Sequence, residues 1–206
     1  MFLLALFLIS TSLTLWGFWP PERETREIPL QLADTSTSSA LRPQWALPEE
    51  RTLRLEFSPS PRLGDAQIIQ LRIFPVSTSA ETNSIDEAYT VIAEARLDMP
   101  LAEVRPAGVI SAALVEGGSA TFYWEVSPRV GGDVDGTVWT YLRFIPRDGG
   151  AEIRQTVAAQ VVAIRPRSVL GRTGSEARFW GVFGLLAGIV LGWLSLRRGR
   201  PALGAK

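Results

Sequence analysis

The 206-residue sequence contains no cysteine and no histidine, and its single lysine is the final residue, Lys206. The two zeros exclude disulfides, thiolate nucleophiles, iron–sulfur clusters, Cys/His zinc sites and any Ser-His-Asp triad. A Ser-Lys dyad in the middle of the chain goes with them. An excess of charge of one sign is also missing, since Lys plus Arg and Asp plus Glu are 21 each. A nucleic-acid binder ordinarily carries a basic face, so no nucleic-acid partner is expected.

Long apolar runs are what the chain does have, one at each end. Residues 2–19 carry no charged side chain and are mostly Leu, Phe, Ile and Trp. As a helix at about 1.5 Å per residue they would extend roughly 27 Å, near the thickness of a bilayer core. Two readings stand for this run, an uncleaved anchor and a cleaved signal peptide. The anchor is favoured, because no basic residue precedes the run and its exit, Leu15-Trp-Gly-Phe-Trp-Pro-Pro21, lacks the small residues of a cleavage site. Residues 179–196 form a second uncharged run, followed by a basic tail over 197–206 with Arg197, Arg198, Arg200 and Lys206. Basic flanks stay on the cytoplasmic side. The expected arrangement is therefore double-spanning in the cell membrane, with both termini cytoplasmic and the middle of the chain outside. Trp16, Phe18 and Trp19 close the first run, and Phe179 and Trp180 open the second, so both aromatic clusters would lie at the same outer interface.

The second run also carries Gly181, Gly184, Gly188 and Gly192 on one helical face, a doubled small-x-x-x-small pattern that admits close approach of another helix. The expected partner is the first run, a second copy of the chain, or another protein.

Between the runs, residues 20–50 read as a linker rich in Pro, Ser and Thr. Asp34 to Ser39 is polar, five prolines interrupt regular structure, and Trp45 is an apolar exception. From 51 to 166 the pattern changes to short alternating runs. Leu53, Leu55 and Phe57 alternate with Arg54 and Glu56, and strands follow over 67–74, 121–127, 137–145 and 153–164, separated by turn clusters at 58–65, 130–136 and 147–150. The stretch 84–116 admits two readings. Ser84-Ile-Asp-Glu87 fits a helical capping box, with Ile85, Ala88, Tyr89, Ile92 and Ala95 at helical spacing. Tyr89, Val91, Ala93, Ala95 and Leu97 alternate as a strand does, and the surrounding strands favour that reading. With 109–115 the total is seven strands, the number of an immunoglobulin-like antiparallel sandwich.

Two segments carry a resemblance. Phe122-Tyr-Trp-Glu-Val-Ser-Pro-Arg-Val-Gly131 and Leu55-Glu-Phe-Ser-Pro-Ser-Pro-Arg-Leu-Gly-Asp65 resemble segments of bacterial membrane-anchored, extracytoplasmic immunoglobulin-like or macroglobulin-like sandwiches. The resemblance implies a fold and transfers no catalytic residue.

Candidate chemistry is sparse. Glu49-Glu50 and Asp86-Glu87 are adjacent pairs, which point apart rather than converge on a substrate. Gly132-Asp-Val-Asp-Gly136 is the best calcium candidate, but it lacks the further oxygens a calcium loop needs, and a hairpin loop explains it. No catalytic, cofactor-binding or metal-binding residues are assigned, and no enzyme is expected. Trp124 is expected in the core. Trp139, Tyr141 and Arg143 would form an interaction surface if they face outward. The function expected is that of a non-enzymatic membrane protein presenting a sandwich for protein or ligand contact. The alternative is an accessory or assembly subunit of a larger membrane complex, bound through its glycine-faced helix.

Overall fold

A computed structural model describes residues 2–30, 50–76, 89–169 and 171–198. The polar run at 34–39, Trp45, the capping-box motif at 84–87 and the tail from 199 lie outside the described residues. Among the described residues, helix α1 (Phe2–Phe18) leads into nine strands, and helix α2 (Gly174–Arg198) follows them. The strands are β1 (Glu24–Pro29), β2 (Arg51–Phe57), β3 (Gln67–Pro75), β4 (Tyr89–Asp98), β5 (Ala102–Arg105), β6 (Ile110–Ala113), β7 (Ala120–Pro128), β8 (Val134–Pro146) and β9 (Ile153–Ile164).

They form two antiparallel sheets, ordered β1-β2-β3-β7-β5 and β6-β4-β8-β9. Alternation with period two decides which side chains lie between them. Leu53, Leu55 and Phe57 of β2, Ile69, Leu71 and Ile73 of β3, and Phe122, Trp124 and Val126 of β7 come from the first sheet. Val91, Ala93, Ala95 and Leu97 of β4, Val138, Leu142 and Phe144 of β8, and Val162 and Ile164 of β9 come from the second. Trp124 is completely buried, its ring stacked 6.4 Å from that of Phe122.

The strand reading of 89–97 holds. Four alternate residues, Val91, Ala93, Ala95 and Leu97, are each no more than 5% exposed, and β4 pairs with β8 from Tyr89↔Pro146 to Asp98↔Thr137. A helix would have turned half of that apolar row to solvent. Two strands exceed the expected seven. β5 is a short edge strand on β7. β1 lies inside the segment read as linker and pairs with β2 from Glu24↔Phe57 to Pro29↔Thr52. Its proline closes the strand at the sheet edge, where a missing amide costs no ladder bond.

One buried charge closes the first sheet. Arg51 is 3% exposed and donates from Nη1 to the Gly118 carbonyl at 2.8 Å and from Nη2 to the Val115 carbonyl at 3.0 Å, fixing the loop between β6 and β7.

Among the described residues one helical span, Gly174–Leu194 of α2, is long and apolar enough to cross a membrane. α1 is apolar but has 17 residues.

Candidate functional site

The C-terminal end of α1 and the start of α2 meet at a junction beneath the sandwich, built from the turn after β2 and the segment after β9. The Arg167 amide donates to the Pro61 carbonyl at 2.7 Å, and the Leu63 amide to the Arg167 carbonyl at 2.9 Å. Gly64 holds φ +77°, and a Cβ there would press on Thr173 at 3.1 Å. That close approach lets the Gly174 amide reach the Leu63 carbonyl at 3.0 Å. Thr173-Gly-Ser-Glu176 then starts α2 as a capping box. The Glu176 amide donates to Thr173 Oγ1 at 3.3 Å, and the Thr173 amide to Glu176 Oε2 at 2.9 Å.

Three charged residues join this turn to both helices. Arg178, in the second turn of α2, makes a bidentate pair with Asp65, Nη1 to Oδ2 and Nη2 to Oδ1, both 2.8 Å. Arg178 Nη1 also reaches the Gly17 carbonyl at 3.3 Å. Arg62 donates to the Trp16 carbonyl from Nε at 3.1 Å and from Nη2 at 2.7 Å, contacts the Trp19 carbonyl, and lies over the Trp16 ring at 5.3 Å. The last carbonyls of α1 are thus capped by two cations, Arg62 and Arg178, at the negative end of the helix dipole.

The helices run antiparallel, and the glycines mark where they touch. An added Cβ at Gly181 would lie 2.6 Å from Thr14 Oγ1 and 2.8 Å from the Thr14 amide nitrogen. At Gly184 it would collide with the Ser10 hydroxyl. At Gly188 the nearest heavy atom across from it, Phe7 Cδ2, is 3.9 Å away, and an added Cβ at Gly192 would meet no described atom of α1 within 4 Å. On the other side, a Cβ at Gly17 would lie 2.7 Å from Arg178 Cγ. Ser10, Thr14 and Gly17 of α1 therefore form a small-residue stripe facing the glycines. The Thr14 hydroxyl donates to the Ser10 carbonyl at 2.8 Å, which satisfies that donor within its own helix. The sequence reading named the glycines but missed this facing stripe, although its spacing of four and three was readable.

Trp139, Tyr141 and Arg143 all stand on the outer face of the second sheet. Trp139 is 37% exposed, and Tyr141 and Arg143 are half-buried. The structure adds Glu94 and Arg154. Arg154 covers the Tyr141 ring at 4.0 Å and donates from Nε to Glu94 Oε2 at 2.8 Å. Arg143 Nε lies 3.0 Å from Glu94 Oε1 as an ion pair without hydrogen-bond alignment, and its Nη1 donates to Glu152 at 3.3 Å. A carboxylate with a 9% exposed side chain thus sits between two guanidiniums. The charges of this face pair with one another, and the Trp139 ring and Val161 of β9 are exposed apolar groups on it.

Asp133 of the glycine-rich loop pairs with Arg165 at 3.1 Å, both side chains being largely exposed. Among the described residues no group of three or more Asp or Glu side chains is placed to hold a metal. At the opposite edge Glu103 is held below its ordinary pKa, first by a hydrogen bond from Arg129 and then by one from Arg105.

No family model matches the chain, and no curated protein sequence matches it. Solved structures similar to it include the ASH/PapD-like domain of human CEP192, at 14% identity over 65% of this chain and 97% of that one, with a TM-score of 0.33. AggA, the major subunit of aggregative adherence fimbriae type I from Escherichia coli, is 10% identical over 59% of this chain and 98% of that one, with a TM-score of 0.32. The cupredoxin domain of amoB from Nitrosocaldus yellowstonii is 14% identical over 50% of this chain and 57% of that one, with a TM-score of 0.25. These neighbours are β-sandwich domains of the immunoglobulin-like, PapD-like and cupredoxin kinds. At such scores the sandwich assignment rests on the two sheets themselves.

Proposed function

We propose that the chain is a non-enzymatic membrane protein whose helical hairpin spans the bilayer twice and presents the sandwich, for protein or ligand contact, on the extracytoplasmic side. One observation supports this most directly: the hairpin is apolar on its outside. Phe179, Phe183, Leu186, Ile189 and Val190 of α2 are each 55–64% exposed, as are Leu8, Ile9 and Leu15 of α1 at 57–62%. A soluble protein would not leave so large an apolar surface bare, and lipid is the medium that covers it without a protein partner. Among the described residues the ion pair of the hairpin, by contrast, falls at one end, where Asp65 draws Arg178 toward the sandwich and out of the hydrocarbon.

The test uses the absence of cysteine. Gly131→Cys, in an exposed loop of the sandwich, is expected to react with a membrane-impermeant thiol reagent on intact cells. A cysteine replacing Lys206 is expected to react only after permeabilisation. The reverse pattern would overturn the topology.

The second reading, an accessory subunit bound through the glycine face, meets a competitor within the chain, because Thr14 and Ser10 already occupy Gly181 and Gly184. It would draw on the remainder of that face, beginning at Gly188, where an added Cβ meets Phe7 Cδ2 at 3.9 Å. Crosslinking in native membranes separates the two readings, since a stoichiometric foreign protein held through α2 favours the subunit.

A further inference from the structure

A small pocket opens beside the junction, lined by Leu13 of α1, by Ala177 and Trp180 of α2, and by Val169 and Arg172 of the segment before α2. Its volume is about 220 Å³. That is below the roughly 300 Å³ at which pockets begin to enclose a drug-sized ligand, but it suits a length of hydrocarbon chain. Four of the five lining residues are apolar. The fifth is a cation with a distinct status. Arg62 and Arg178 are both engaged by Asp65, whereas Arg172 has no ion pair with a carboxylate among the described residues. The nearest acid along the chain, Glu176, is held by the Thr173 amide.

Arg172 is also held in place. Its amide donates to the Val169 carbonyl at 3.0 Å across a turn in which Gly171 takes φ +73°, and its guanidinium lies over the Trp180 ring at 5.6 Å. The pocket therefore has an apolar interior and an unneutralised, oriented guanidinium at its rim. It sits at the level of Phe18 and Trp19 at the end of α1 and Phe179 and Trp180 at the start of α2, all 47–72% exposed. In a spanning hairpin that level is the headgroup region.

We infer that this pocket binds one anionic phospholipid, its phosphate on Arg172 and the upper part of one acyl chain against Leu13, Val169 and Trp180. The inference rests on the membrane-spanning reading above. Charge complementarity selects the occupant. A zwitterionic lipid carries its own counter-charge, whereas an anionic lipid leaves a net negative headgroup for the unpaired arginine.

The experiment is native mass spectrometry of the full chain in detergent, titrated with phosphatidylglycerol or phosphatidylcholine. One retained phosphatidylglycerol is expected, preferred over phosphatidylcholine by at least about fivefold, the size expected of one arginine beside an anionic headgroup. Arg172→Gln is expected to abolish the preference and Arg172→Lys to restore part of it. Arg129→Gln, which removes a cation beside β5 that is already paired with Glu103, should leave it intact. Leu13→Trp fills the pocket but keeps the cation, and is expected to lose the retained lipid. Millimolar inorganic phosphate should not compete. Equal retention of the two lipids, an equal loss in Arg129→Gln, full retention in Leu13→Trp, or displacement by inorganic phosphate would each overturn the inference. Carbonate extraction of the same variants keeps the two readings apart. Protein that stays in the membrane without lipid preference refutes the pocket alone, and wild-type protein released by carbonate refutes the anchoring.

Discussion

Gly181→Ala is expected to open the helical hairpin, and the structure gives a graded set of controls. The added methyl would lie 2.6 Å from Thr14 Oγ1, 2.8 Å from the Thr14 nitrogen and 3.1 Å from Thr14 Cα. Two of these are backbone atoms, so no side-chain rotation relieves the clash and the helices must move apart. Overpacking of this kind costs about 1–3 kcal/mol. The helix preference of alanine over glycine, about 1 kcal/mol in water, does not offset it. A separated α2 in lipid stays helical because its backbone has no other hydrogen-bond partner, so the preference cancels between paired and separated states. At Gly184 the methyl meets the Ser10 hydroxyl, which can turn away, and Ser10 Cβ at 3.0 Å, which need give only a few tenths of an ångström, so the cost should be smaller. At Gly188 the nearest heavy atom, at 3.9 Å, is in ordinary contact, and alanine should be neutral. The assay places the chain's sole thiol at Ala177, which is 2% exposed, and follows its labelling in vesicles. Labelling through an opened hairpin should accelerate between about fivefold and a hundredfold for Gly181→Ala, less for Gly184→Ala, and not at all for Gly188→Ala. Equal rates for Gly181→Ala and Gly188→Ala would refute the view that these glycines serve the pairing with α1.

Trp124→Ala should destabilise a sandwich fragment of residues 20–168 by about 3–5 kcal/mol in urea unfolding, because the ring is fully buried; a loss below about 1 kcal/mol would contradict its place in the core. Starting the fragment at residue 50 instead removes β1 with its Arg54–Glu27 pair and the cover of Leu30 on the core, and should cost about 2–4 kcal/mol and promote aggregation through the bared edge of β2. Asp65→Asn should cost about 1–3 kcal/mol, because the amide NH2 cannot accept, so one arm of the pair is lost and Arg178 is left with one uncharged acceptor; thermal unfolding of the full chain in micelles measures it. In an NMR titration the Glu103 midpoint, which lies below the ordinary glutamate value, should rise in both Arg129→Gln and Arg105→Gln, and an unmoved midpoint in both would contradict the pairing. The contribution of Glu103 to stability is complete above the ordinary glutamate pKa and fades as pH falls through the lowered folded value.

The sequence by itself determined the elements whose signal is local. Period-two alternation in 53–57, 67–74 and 121–127 was enough to identify strands and their buried faces, Trp124 included, because the pleat turns every second residue to one side. The apolar runs were legible for a similar reason, as was the glycine stripe on α2. Tertiary structure alone decided what pairs with what. β1 was hidden because Thr25, Arg26 and Glu27 look like linker residues; the strand exists through its ladder to β2 and the contact of Arg26 with the Phe57 ring at 5.2 Å. The Asp65–Arg178 pair joins residues 113 apart, and nothing local in either turn foretells it. Glu94 reads as an ordinary outward strand residue until β8 and β9 bring Arg143 and Arg154 to its two oxygens. The glycine face of α2 advertised a partner without naming it, since a small-residue stripe lowers the cost of close approach for any helix. Only the packing of the first and last segments of the chain assigned Gly181 and Gly184 to α1, because that contact depends on the sandwich bringing both ends to one side.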